Sequence, residues 1–248
     1  MRTANPALND EAFKGFTGRV AADEPMTIQG TVNKTLLLLI CALLTAGWTW
    51  NIFLRTNDPA SVMPWVAVGA IGGFILALVT IFKQSWAPVT SPLYALLQGL
   101  FLGGVSSVAE SQYPGIVIQA VGLTFGTCLA LLVAYKSGLI RATENFKLGV
   151  VAATGGIALV YFASIVLSLF GINMPGIFDN GLIGIGFSLF VVTIAALNLV
   201  LDFDFIESGS KNNLPKYMEW YGAFGLMVTL IWLYIEILRL LIKLRSRD

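Results

Sequence analysis

Six stretches of this chain run for roughly twenty residues each without a charged side chain: 35–54, 64–82, 93–109, 116–135, 148–170 and 181–201. At a helical rise of about 1.5 Å per residue, such a stretch crosses a hydrocarbon core of about 30 Å. A seventh, from Trp220 to about Leu244, is apolar except for Glu236, Arg239 and Lys243. In lipid each span must satisfy its own backbone hydrogen bonds, so helices are the expected form. The linkers between the stretches are short and carry most of the charge and turn formers, as in Asn57-Asp58-Pro59 and Gln112-Tyr113-Pro114-Gly115. A third such linker is Asn173-Met174-Pro175-Gly176. The chain therefore reads as an all-α integral membrane protein with a polar tail over residues 1–33 and a seven-helix domain over residues 34–248. The tail lacks the pattern of a cleavable signal, because the apolar run starts late and is long.

Composition supports this reading and narrows the chemistry. Hydrophobic residues make up 56% and charged residues 12% of the chain, where soluble domains hold about 25% charged. A net charge of +1 gives no electrostatic case for nucleic acid. The two cysteines, Cys41 and Cys128, lie inside apolar runs and form no CxxC motif. Histidine is absent. That removes imidazole-based zinc sites, Ser-His-Asp and Cys-His nucleophiles and histidine pH sensors. No Gly-x-Ser-x-Gly elbow is present either, so no enzyme is expected. Proton or cation sensing falls to carboxylates.

Lysine and arginine positions set the expected orientation. With the N-terminus in the cytoplasm, Arg2, Lys14, Arg19, Lys34, Lys83, Lys136, Arg141, Lys147, Lys211 and Lys216 all fall inside, against Arg55 outside. Arg239, Lys243, Arg245 and Arg247 break the pattern if the seventh span crosses fully, which is the arrangement expected here. Glycines at Gly69xxxGly73, Gly99xxxGly103 and Gly122xxxGly126 suggest close helix packing. Gly72-Gly73 and Gly155-Gly156 recur in similar contexts in spans two and five, so a three-plus-three inverted repeat around a central seventh helix is conceivable.

Ionisable groups inside a span are rare and mark functional candidates. Two places qualify. The end of span six reads Asn198-Leu-Val-Leu-Asp202-Phe-Asp204-Phe-Ile-Glu207. Asn198 and Asp202 share a helical face, whereas Asp204 points elsewhere. The bland alternative is a helix end with solvated carboxylates at the interface. The second place is Glu236, sixteen residues after Trp220. Its bland alternative is a helical ion pair with Arg239, three residues on, or a weaker relation to Lys243. Should Asp202 and Glu236 face one another, the two carboxylates cannot both ionise easily in a low dielectric. Such a pair holds a shared proton, or binds a hard cation once deprotonated.

The sixth-span ending Leu-Val-Leu-Asp202-Phe-Asp-Phe-Ile and the seventh-span Leu233-Tyr234-Ile235-Glu236-Ile-Leu resemble the Bax-inhibitor-1 family of seven-helix membrane proteins. The opening Met-Arg-Thr-Ala-Asn-Pro-Ala-Leu-Asn is similar to a bacterial branch related to the YccA proteins, which implies the bacterial inner membrane. The resemblance implies a pH-responsive carboxylate unit around a closed pore, with Asp202 and Glu236 in the two acid positions. It also implies a calcium leak, with calcium as the transported ion and no resident cofactor. The seventh-helix acid is usually Asp in the family, and Glu236 is one methylene longer. Some members latch the sixth-helix acid to an arginine ending the second helix. The nearest candidate here is Lys83, which lacks the bidentate fork and otherwise reads as an interfacial lysine. Two functions follow: a pH-sensitive cation leak channel, or a regulator without transport that binds another membrane protein such as a quality-control protease.

Overall fold

The computed structural model describes residues 25–171 and 179–247. The opening nonapeptide, the tail cations Arg2, Lys14 and Arg19, and the Asn173–Gly176 turn lie outside the described residues. Among the described residues, seven helices are each long and apolar enough to cross a membrane. They are α1 (Ile28–Thr56), α2 (Met63–Phe82), α3 (Ala87–Gln112), α4 (Ile116–Lys136), α5 (Glu144–Leu169), α6 (Leu182–Lys211) and α7 (Met218–Arg245). Among the described residues there is no strand, only an isolated antiparallel bridge between Pro25 and Pro215.

The helix ends follow local chemistry. Thr27 caps α1 by accepting from the Gly30 N–H at 2.9 Å, and Asn57 ends it in the left-handed region at φ 48°. Proline stands in the first turn of α2 and of α3, where its missing N–H has no intrahelical partner to lose. Thr143 caps α5 by accepting from the Phe146 N–H. Several boundaries differ from the sequence reading; α6, for one, runs on to Lys211, past the apolar stretch that ends at residue 201. Residues 28–33 of the expected tail are helical, because the cap at Thr27 starts α1 early. Helix α3 begins at Ala87 and runs through Pro92, where a count of apolar residues started the span only after that proline. Membrane helices accept such interruptions when neighbouring groups satisfy the freed backbone.

The chain divides into two compact units, and α6 and α7 contribute to both. One unit holds α1, α2, α3, the last turns of α6 from Asp204 and the first turns of α7 through Val228. Its packing depends on glycine. A Cβ on Gly99 would strike the Ala42 carbonyl and the Thr45 hydroxyl, and one on Gly103 would lie 2.7 Å from the Ala46 Cα. A Cβ on Gly69 would sit 2.5 Å from the Leu97 carbonyl oxygen. Backbone therefore meets backbone between α1 and α3 and between α2 and α3. Tyr94 and Phe224 stack edge to face at 5.0 Å, with Tyr221 beside Phe224 at 6.3 Å.

The other unit holds α4, α5, α6 through Phe203 and α7 from Thr229. Its core gathers Ile157, Val191 and Ile194, against which Tyr161, Phe187 and Trp232 pack. Here the glycine expectation is corrected. A Cβ on Gly122, Gly126, Gly155 or Gly156 would meet nothing within 4 Å. Among the described residues, the Gly122xxxGly126 face of α4 is not a helix contact. The Gly155-Gly156 pair likewise has no counterpart to the contact that Gly72 and Gly73 make with Leu97 and Gln98.

Candidate functional site

Asp202 and Glu236 lie in the same compact unit, and both are buried, at 0% and 2% exposure. Helix α6 carries Asp202 through a run of fully enclosed neighbours, Leu199, Val200 and Leu201. The solvated helix end considered for Asp202 is therefore not what the structure has. One turn earlier, Asn198 donates through Nδ2 to the Thr154 hydroxyl at 2.9 Å and to the Ile194 carbonyl at 2.8 Å. This fixes the Asn198–Asp202 face of α6 against α5. On the α4 side, the Tyr135 and Phe203 rings lie 6.1 Å apart, and Cys128 is within electrostatic reach of Asp202.

Glu236 sits in a built polar cluster. The Tyr161 hydroxyl of α5 donates to its Oε1 at 2.9 Å. Arg239 donates from one terminal nitrogen to both carboxylate oxygens, at 3.2 and 3.3 Å, and to the Tyr161 oxygen at 2.8 Å. The guanidinium carbon also lies 5.4 Å from the Tyr161 ring centre, a cation–π geometry. The helical ion pair considered for Glu236 is thus present, and a tyrosine joins it. Farther along α7, the buried Lys243 donates to the Gly184 carbonyl at 3.0 Å.

The supporting candidates separate. Asp204 is partly buried and belongs to the other unit. Lys83 is exposed at the end of α2, with its ammonium 5.4 Å from the Trp86 ring centre. The lysine is stacked on an aromatic ring. Among the described residues no three His, Cys, Asp or Glu gather where they could hold a metal. A cation at Asp202 or Glu236 would meet few charged ligands, which favours weak binding.

A third buried acid was not singled out from the sequence. Glu219, in the first turn of α7, is fully buried. It accepts from the Thr27 N–H at 2.9 Å and the Thr27 hydroxyl at 2.8 Å, and pairs with Lys34 and, at 3.4 Å, with Lys216. Beside it, the Met26 N–H donates to the Leu214 carbonyl at 2.7 Å. Partial burial raises the Tyr217 phenol above its ordinary range. An acid opening a helix is common because it complements the dipole, so its position carried no functional signal. Tyr161 and Thr154 were equally silent, being neutral residues within apolar spans.

The family model described as Bax inhibitor 1 like matches residues 5–246, nearly the whole chain. The chain belongs to the Bax inhibitor 1 like family. Searches of the curated proteins and of the solved structures returned no match. For this family member the buried acids on α6 and α7 are the strongest candidates for function, because an ionisable group deep in a span needs a reason to be kept there.

Proposed function

We propose that this protein is a pH-sensitive cation leak channel, with calcium as the principal ion and Asp202 and Glu236 as gate and sensor. The observation that carries the reading is the burial of both carboxylates within the same unit of a seven-helix membrane protein. Each acid binds a cation only when ionised, and protonation removes that attraction, so protons and calcium compete for the same oxygens. Asn198 orients the Asp202 face of α6 through Thr154. Membership in the Bax inhibitor 1 like family supports the reading at the level of the family alone. The proposal places the protein in the bacterial inner membrane on the resemblance of its opening residues, and its N-terminus in the cytoplasm on the ten-to-one basic asymmetry of the loops.

One observation favours a second reading. Gly122 and Gly126 on α4, and Gly155 and Gly156 on α5, present small surfaces that meet nothing among the described residues. Small residues of this kind let another membrane helix approach closely, as a regulator bound to a membrane partner would need. Purified protein in liposomes separates the two. Calcium uptake with no other protein present supports the channel, whereas folded protein that passes no cation puts the regulator ahead.

A further inference from the structure

Glu236 is enclosed, yet the arginine side chain bound to it is 39% exposed. The acid belongs to the interior and its counter-ion to the rim. Four contacts converge on the Arg239 guanidinium: the two Glu236 oxygens, the Tyr161 oxygen and the Tyr161 ring face. A carboxylate for charge, a phenol oxygen for a hydrogen bond and an aromatic face for a flat cation together suit a guanidinium better than a spherical ion. The tyrosine is itself held, by packing on the Ile157–Val191–Ile194 cluster and by an edge-to-face contact with Phe187 at 6.2 Å. The cation reaches these fixed partners on a long side chain from one turn farther along α7.

We infer that Tyr161 and Glu236 form a binding site for a guanidinium-type organic cation, filled from within the chain by Arg239, so that a travelling cation engages Glu236 only when Arg239 withdraws. The binding half stands on the geometry alone; the gating half rests on the channel reading above. Lys243 is not an alternative occupant in this arrangement, since its ammonium is engaged by the Gly184 carbonyl.

Chemical rescue tests both halves. Arg239→Ala removes the built-in cation from Glu236 and Tyr161, and millimolar guanidinium chloride, with sodium chloride as the salt control, serves as the probe. The expected result is a guanidinium-specific rise in the thermal midpoint of Arg239→Ala that disappears in Arg239→Ala/Glu236→Gln and shrinks in Arg239→Ala/Tyr161→Phe. In liposomes, Arg239→Ala should take up calcium several-fold faster than wild type, and guanidinium should slow it again. If Arg239→Ala does not fold, Arg239→Gln replaces it, keeping a flat amide donor without the charge. Equal stabilisation with and without Glu236 overturns the binding site. Wild-type flux that Arg239→Ala leaves unchanged overturns the gating half. Specific stabilisation with no calcium flux in any variant removes the channel reading and leaves the guanidinium site standing.

Discussion

At the scale of single residues, the buried acids differ in how much of their setting can be predicted to matter. Glu219 is satisfied by Thr27 and two lysines with no exposed surface. Glu219→Gln would leave Lys34 without its carboxylate and lose charge-assisted bonds, each worth roughly 1.5–3 kcal/mol. A clear fall in the thermal midpoint in detergent is expected, and an unchanged midpoint would show that the cluster contributes nothing to stability. Asp202 and Glu236 call for a different test. If they act as one unit, Asp202→Asn and Glu236→Gln each remove the pH dependence of flux, and the double variant resembles either single. Asp204→Asn, on another helical face, should change little. Additive small effects would mean two independent groups. These two acids were legible in the sequence because charge inside an apolar run stands out. Tyr161 and Thr154 were not, because a hydroxyl in a span gains meaning only from the residue that folding sets opposite it.

At the scale of helices, the seven spans were legible because lipid imposes a length and an apolar requirement that any sequence must meet openly. Their ends were less so. The start of α1 depends on a threonine cap, and the start of α3 on two prolines that a membrane helix tolerates. Glycine spacing misled for the same kind of reason: Gly99xxxGly103 and Gly122xxxGly126 have the same pattern, and only the first pair meets backbone. The prediction follows directly. Gly99→Ala must push α1 from α3 at Ala42, costing about 1–3 kcal/mol. Gly122→Ala should stay within about 0.5 kcal/mol, as an uncrowded site does. Thermal unfolding of the two purified variants compares them, and equal losses would contradict the packing described for α1 and α3.

At the scale of the whole molecule, the account rests on a sided membrane protein whose acids answer to protons. Sidedness comes from the loops: a reporter between Arg141 and Lys147 should read as cytoplasmic and one near Asn180 as external, and reversed signals would invert the orientation. The loop cations made that expectation readable, whereas the four basic residues after Glu236 ran against it; the structure engages two of them, Arg239 and Lys243, within the protein. The proton response is the central claim, and calcium uptake by the purified protein in liposomes, measured between about pH 5 and pH 8, tests it most directly. Ionised carboxylates attract calcium and protonated ones do not, so uptake should fall as the medium is acidified, and Asp202→Asn should abolish that dependence. Calcium uptake that stays constant across the range, or a pH response that survives in Asp202→Asn, would contradict gating by these carboxylates.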